Sequence, residues 1–244
     1  EMCIRDSGLR VPLVTTQVVG RDRYIEWVSW MANVATSVEK LLQEVRNLQR
    51  SEIAEVGEWF DAEKQVGSST MAHKRNPITA ENACGLARIV RSFIIPSYEN
   101  ALLWHERDLA NSSAERFTLS HSAILLDDVM EKCNRVMSKC VVDTKNMRAN
   151  IERQNGLVMA EKVMIELVDA GIPRDDAHEL LRSASMVSIS EGVHLRDVCG
   201  GMDSITQRFD EAQLDAMFDP SNHIGVSLEL VDEAVATARS QIGL

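Results

Sequence analysis

The chain of 244 residues and 27.2 kDa is 45% hydrophobic and 26% charged, enough apolar matter for a full core and too much for a disordered chain. Lysine and arginine total 26 against 37 acidic residues, a formal net charge of −11, which argues against a general electrostatic grip on nucleic acid or an anionic membrane. Any anionic ligand must therefore meet a local basic site. No apolar run approaches the roughly 20 residues that span a bilayer, and no charged-then-apolar leader precedes a small-residue cleavage site, so a cytoplasmic protein is expected.

Residues Glu1 to Ser7 match no element and look like translated adapter sequence, so they are set aside as a non-native leader; the native chain is expected to extend further upstream. From Tyr24 the apolar residues Trp27, Met31, Val34, Val38, Leu41, Val45 and Leu48 follow in steps of three and four, a heptad seam on one long helix. Val28, Ala32, Ala35 and Leu42 widen that seam beyond what a two-stranded coil needs, which suits a helix bundle. Thr79 to Ile95 and, after Pro96, Ser97 to Leu103 read as shorter helices. A second long helix is expected from about Ala114 to Val141, with Phe117, His121, Ile124, Leu125, Val129, Cys133, Val136, Met137 and Cys140 on its apolar face.

Beyond Asp143 the helices shorten: Thr144 to about Gln154, Leu157 to Ala170, Pro173 to about Val187, a segment from Asp210 with a capping-box pattern to Gln213, and a last helix from about Val226 to Ile242. No convincing strand is found, and the fold is expected to be all-α. The expected organisation is a central helical bundle at 8–170, incomplete on its N-terminal side, and a small helical domain at 171–244. The five cysteines show no CxxC pair and no zinc spacing, so free, buried thiols are expected. His105 and His121 are read as histidines hydrogen-bonded within the bundle or its core.

The segment Val66 to Pro77, VGSSTMAHKRNP, breaks the helical pattern. Gly67 allows a sharp turn, Ser68 and Ser69 can give up a proton, His73, Lys74 and Arg75 supply positive charge, and Pro77 opens the next helix. On composition alone it could be a solvated basic loop. A phosphate-binding Walker loop is excluded because GxxxxGK[ST] is absent.

GSSTMAHKRNP closely resembles the GSSxMPxKxNP fingerprint of the fumarase/aspartase superfamily, with Ala72 standing where that family carries Pro. His73 is similar to the residue found there in adenylosuccinate lyases and carboxymuconate cycloisomerases. LWHERDLANSSAER, Leu103 to Arg116, and TTQVVGRDRY, Thr15 to Tyr24, resemble motifs of the adenylosuccinate lyase family. The resemblance covers residues 8 to 244 and corresponds to the second half of such an enzyme. It implies a bundle of long helices followed by a small C-terminal helical domain, and elimination of fumarate from a nucleotide carrying a succinyl group, with neither metal nor organic cofactor.

By the same resemblance Ser68 is the base that takes the proton beside a carboxylate, and His73 and Lys74 favour its alkoxide. Lys74 also holds the carboxylate as it becomes a dianion, and Glu81 orients a catalytic His. Gln17, Ser69, Met71 and Asn76 are implied substrate contacts, and Arg107, Ser112 and Arg116 the grip on the nucleotide phosphate. The general-acid His would lie in the missing upstream half, so the fragment alone is expected to be inactive. A homotetramer with active sites shared between subunits is implied, without nucleic acid or membrane partners. Two other readings stay open: a 3-carboxy-cis,cis-muconate cycloisomerase-like enzyme sharing the HKRNP loop, and a non-catalytic helical assembly module.

Overall fold

The computed structural model describes residues 12–60, 71 and 74–243. The described residues divide into two compact units between Asn146 and Met147, and the fold is all-α apart from one two-stranded antiparallel bridge.

The first unit is built on three helices: α1 (Asp22–Leu48), α2 (Ile78–Ser92), and, after the short α3 (Ile94–Glu99), the long α4 (Ala110–Ser138). Val28, Met31 and Ala35 of α1 meet Ala87 and Val90 of α2 and Leu126 of α4 in one buried cluster. Leu42 and Val45 meet Ala80, Ala83, Cys84 and Val136 in another. The pairing makes α2 antiparallel to α1 and α4 parallel to it. Alanine at 35, 80, 83 and 87, all fully buried, lets the α1 and α2 axes approach closely, and Glu39 of α1 pairs with Arg88 and Arg91 of α2 across the same seam.

The buried face of α1 differs from the expected seam. Met31 and Val45 are buried, but Tyr24, Trp27 and Leu41 are 39%, 50% and 43% exposed, and the packing is completed by the flanking Val28, Ala35 and Leu42. Likewise α4 turns Leu126, Val129 and Val136 inward and leaves Phe117 and Ile124 at the surface. Both helices carry two apolar stripes, and within this unit one is covered. His121 lies on the uncovered stripe of α4, exposed and stacked on Phe117 with ring centroids 5.4 Å apart, not in the core. The expected helix from Ser97 to Leu103 is instead α3 followed by a turn. Pro96 is the third residue of α3, a first-turn position whose N–H would have no intrahelical acceptor.

The bridge pairs β1 (Val56–Gly57) with β2 (Val141–Val142), Val56 opposite Val142. It was not expected, since two residues per strand leave no alternating pattern to read. It ties the chain following α1 to the chain following α4.

The second unit comprises most of α5 (Thr144–Glu152), a 3₁₀ turn at Leu157–Met159, α6 (Ala160–Asp169), α7 (Arg174–Glu191), α8 (Leu195–Gly200), α9 (Asp203–Thr206), α10 (Glu211–Phe218) and α11 (Ser227–Ile242). Its core joins Met159, Val163 and Leu167 to Leu181, Leu195, Cys199, Ile205, Leu214 and Phe218. The compact unit thus begins about two dozen residues before the boundary expected near residue 171, because α6 contributes its apolar face to this core. The capping box is formed: Asp210 Oδ1 accepts the Gln213 N–H and Gln213 Oε1 accepts the Asp210 N–H. Cys84, Cys133, Cys140 and Cys199 are free thiols, and burial pushes the Cys199 thiol up to about 11, so it stays protonated at neutral pH.

Candidate active site

Of the loop expected to carry the chemistry, Met71 and the stem from Lys74 are described, and Ser68, Ser69 and His73 lie outside the described residues. Its downstream stem is anchored at two points. Glu58, just past β1, accepts the backbone N–H of Thr79 at 3.1 Å and of Ala80 at 3.1 Å, so its carboxylate satisfies the open N-terminus of α2. Gln49, at the end of α1, donates from Nε2 to the Arg75 carbonyl at 3.2 Å and accepts the Glu58 N–H at 2.8 Å. The end of α1, the strand and the loop stem are therefore tied together by hydrogen bonds. Replacing Glu58 by alanine is expected to cost about 1–2 kcal/mol in denaturant unfolding, with Glu58→Gln, which keeps an acceptor oxygen, falling between that variant and wild type.

Beside this stem lies a cavity of about 810 Å³, lined by Met71, Lys74, Asn76 and Glu81 of the expected site, by Arg46 in the last turn of α1 and by Arg50 just past that helix. Arg75 also lines it, with its guanidinium 5.3 Å from the centre of the Phe60 ring. Among the described residues four cations thus surround this cavity of a chain with net charge −11, and Glu81 is the acidic group in its lining. This is a local anion-attracting site of the kind the overall charge requires. Arg46 and Arg50 carry no motif and were not singled out from the sequence.

Gln17, Arg107, Ser112 and Arg116 form a second group at the other end of the bundle. Ser112 and Arg116 occupy the first two turns of α4, and Arg107 belongs to the turn that leads into it. That turn is closed by Asp108, which accepts the N–H of Trp104 at 2.9 Å and of Ala110 at 2.8 Å. These two backbone bonds hold the Asp108 carboxyl below the usual carboxylate range. His105 sits exposed in this turn at φ 43°, not hydrogen-bonded within the bundle as expected; the reversal of chain before Asp108 needs a left-handed residue.

Gln17 is exposed in the segment before α1. The segment is fastened by Arg21, whose Nε and Nη2 donate to Glu115 Oε1 and Oε2 at 2.6 and 3.2 Å. Nη1 of the same guanidinium donates to the Val19 carbonyl at 2.6 Å.

The two groups are not brought together within one chain. Gln49 touches the loop stem and Arg21 touches the first turns of α4, and the helix between them is 27 residues long, about 40 Å at 1.5 Å per residue. Among the described residues no cluster of three or more His, Cys, Asp or Glu side chains could hold a metal ion, and no helix is long and apolar enough to cross a membrane.

In sequence and in fold the chain is similar to known lyases. The family described as adenylosuccinate lyase C-terminus matches residues 156–234, and the family described as lyase matches residues 7–91. The chain is 43% identical to an adenylosuccinate lyase of Archaeoglobus fulgidus over 96% of its own length and 53% of that protein. It is also 43% identical to the adenylosuccinate lyase of Methanothermobacter thermautotrophicus, over 93% of the chain and 51% of that protein. Among solved structures, 3-carboxy-cis,cis-muconate lactonizing enzyme from Pseudomonas putida aligns with a TM-score of 0.84 at 30% identity, covering 96% of this chain and 51% of that one.

These matches place the chain among the lyases of the fumarase/aspartase superfamily. Within it the chain belongs to the adenylosuccinate lyase family, and it spans about half the length of the curated relatives it matches.

Proposed function

We propose that the full-length protein is an adenylosuccinate lyase of purine biosynthesis. It releases fumarate from adenylosuccinate, giving AMP, and from succinyl-aminoimidazole-carboxamide ribotide. The observation that carries this reading is the separation of the loop group from the Ser112 and Arg116 group by the length of α1, since one small substrate cannot span about 40 Å. A site that uses both must draw them from different copies of the chain. The exposed apolar residues Tyr24, Trp27 and Leu41 on α1 and Phe117 and Ile124 on α4 are the surface on which such copies would meet. A homotetramer around a central bundle satisfies both requirements, and the cytoplasm, where nucleotide synthesis runs, is its compartment.

In the proposed reaction Ser68, as alkoxide, takes the proton from the carbon beside a succinyl carboxylate. Lys74 and Asn76 hold that carboxylate while it carries the developing second charge, with His73 close in sequence to favour the alkoxide. The electron pair then expels the nitrogen, which takes a proton from a general-acid His supplied by the other half of the enzyme, oriented by Glu81. Gln17, Ser69 and Met71 line the substrate, and Arg107, Ser112 and Arg116 grip its phosphate. Every proton has a protein donor or acceptor, so the elimination as written needs no metal or organic cofactor.

The likeness to the muconate lactonizing enzyme favours a second reading, a cycloisomerase, but such a substrate has no phosphate and leaves Arg107, Ser112 and Arg116 without a task. Equilibrium binding of AMP to the full-length protein separates the two. The lyase reading expects AMP binding that Arg116→Ala weakens at least tenfold, together with fumarate release from adenylosuccinate by the full-length protein and none by the 244-residue chain alone. A full-length protein that neither binds AMP nor releases fumarate would exclude the lyase.

A further inference from the structure

The guanidinium of Arg21 is the meeting point of the two segments that carry the nucleotide-side residues: the start of α4, which its own helix and the Asp108 turn hold in place, and the irregular segment before α1. Gln17 lies in irregular chain four residues before Arg21, in a segment where Thr16 Oγ1 bonds locally to the Val18 carbonyl at 3.1 Å. Glu115 lies on α4 between Ser112 and Arg116, three residues after the first and one before the second, so Ser112 and Glu115 share a face. The Arg21 and Glu115 side chains are only 14% and 17% exposed. Their two-point contact is a fork on a carboxylate, which fixes direction as well as distance. The third donor of Arg21 reaches back to the Val19 carbonyl at 2.6 Å, and the guanidinium lies 5.3 Å from the centre of the Tyr24 ring.

We propose that Arg21 is a positioning residue for the nucleotide end of the site. Clasped to Glu115, it holds the Gln17 segment against the first turns of α4 and cancels the carboxylate that would otherwise repel a phosphate bound at Ser112 and Arg116. This rests on the lyase reading above. Two effects follow from one contact. Loss of the fork frees the Gln17 segment, and loss of the charge leaves Glu115 negative beside the phosphate, where low solvent exposure keeps the repulsion from being screened. Both act on binding of the nucleotide and neither touches the loop stem or its base, so the effect falls on KM and on AMP affinity and leaves kcat nearly unchanged.

The test uses full-length enzyme and four variants: Arg21→Lys, Arg21→Glu, Glu115→Arg and the exchange Arg21→Glu/Glu115→Arg, with AMP as the binding probe and adenylosuccinate as substrate. Arg21→Glu, which loses the fork and leaves two carboxylates beside the phosphate, is expected to raise the AMP Kd and the KM at least tenfold with kcat within about threefold of wild type, whereas Glu115→Arg, which loses the fork but removes the carboxylate, should raise them less. Arg21→Lys, which keeps the charge and loses the fork, should fall between wild type and Arg21→Glu, and the exchange should recover most of the lost affinity. If either single variant fails to fold, recovery of AMP binding in the exchanged protein still decides the matter. Wild-type AMP affinity in Arg21→Glu, or an exchange no better than the worse single variant, would overturn the clasp and leave the lyase reading standing. A wild-type protein that neither binds AMP nor releases fumarate would overturn both.

Discussion

Full-length enzyme carrying Ser68→Ala is expected to lose about 10³-fold or more in kcat, since a positioned proton-transfer group contributes on the order of 10²–10⁴. AMP binding should be unchanged, because in the proposed site Arg107, Ser112 and Arg116 hold the phosphate and AMP carries no succinyl group for the base to act on. The same logic makes a sharper expectation for mixed chains. Ser68→Ala and Arg116→Ala subunits, each inactive alone, should regain activity when assembled together, because a site that takes its loop from one copy and its phosphate grip from another can draw an intact residue from each. Random mixing gives about one site in four in that state, provided the copies exchange freely within a closed assembly. Fumarate release from the refolded mixture measures it. Unchanged turnover in Ser68→Ala would sink the base assignment and favour a non-catalytic helical module. Two inactive variants that stay inactive when mixed would sink the shared site.

The parts of this arrangement legible in the sequence are those with a local pattern. The three- and four-residue spacing from Tyr24 to Leu48 is a property of one helix, and α1 follows it; the capping box at Asp210 and Gln213 is likewise contained in four residues. Which side of α1 faces inward was not legible, because apolar residues occupy two stripes and the choice depends on where α2 and α4 lie. Ala87 decides it by admitting Val28 and Ala35 to close contact, Ala80 and Ala83 by admitting Leu42, and Trp27 is left outside. The site divides in the same way. The loop from Val66 to Pro77 and the turn before α4 announce themselves by composition and motif. Glu58 and Gln49, which anchor the loop stem, are ordinary polar residues whose partners lie 21 and 26 positions away, and Arg21 meets Glu115 at a separation of 94. No period or spacing connects such pairs; only the packing of α1 against α2 and α4 does. The same holds for the start of the second unit, since α6 looks like one more bundle helix until its Val163 and Leu167 are seen packed with Leu195 and Cys199.

The second large effect is expected in that unit, from the smallest possible change. Gly156 has φ 75°, a conformation that L side chains rarely adopt, and a Cβ placed on it would lie 2.4 Å from His194 Cε1, 2.9 Å from Nε2 and 3.0 Å from Nδ1. The ring cannot yield cheaply. Its Nδ1 accepts the Arg196 N–H at 3.1 Å as the N-cap of α8, its edge packs on Phe218 with centroids 5.8 Å apart, and the next residue, Leu195, donates its backbone N–H to the Asn155 carbonyl at 2.8 Å. Gly156→Ala therefore adds a left-handed alanine, about 1 kcal/mol, to the displacement of a capping residue joined to the core through Phe218 and Leu195. The sum is about 2–4 kcal/mol, the range of substitutions that strain a special backbone position. Thermal and denaturant unfolding of the 244-residue chain measures the loss. His194→Asn tells the two costs apart, because asparagine is short enough to clear the new methyl and still caps a helix. In a double-mutant cycle Gly156→Ala and His194→Asn should couple favourably by about 1 kcal/mol or more, with the left-handed penalty remaining. A Gly156→Ala chain within about 0.5 kcal/mol of wild type, or a cycle with no coupling, would show that the ring moves aside freely and that His194 does not fix this corner of the unit.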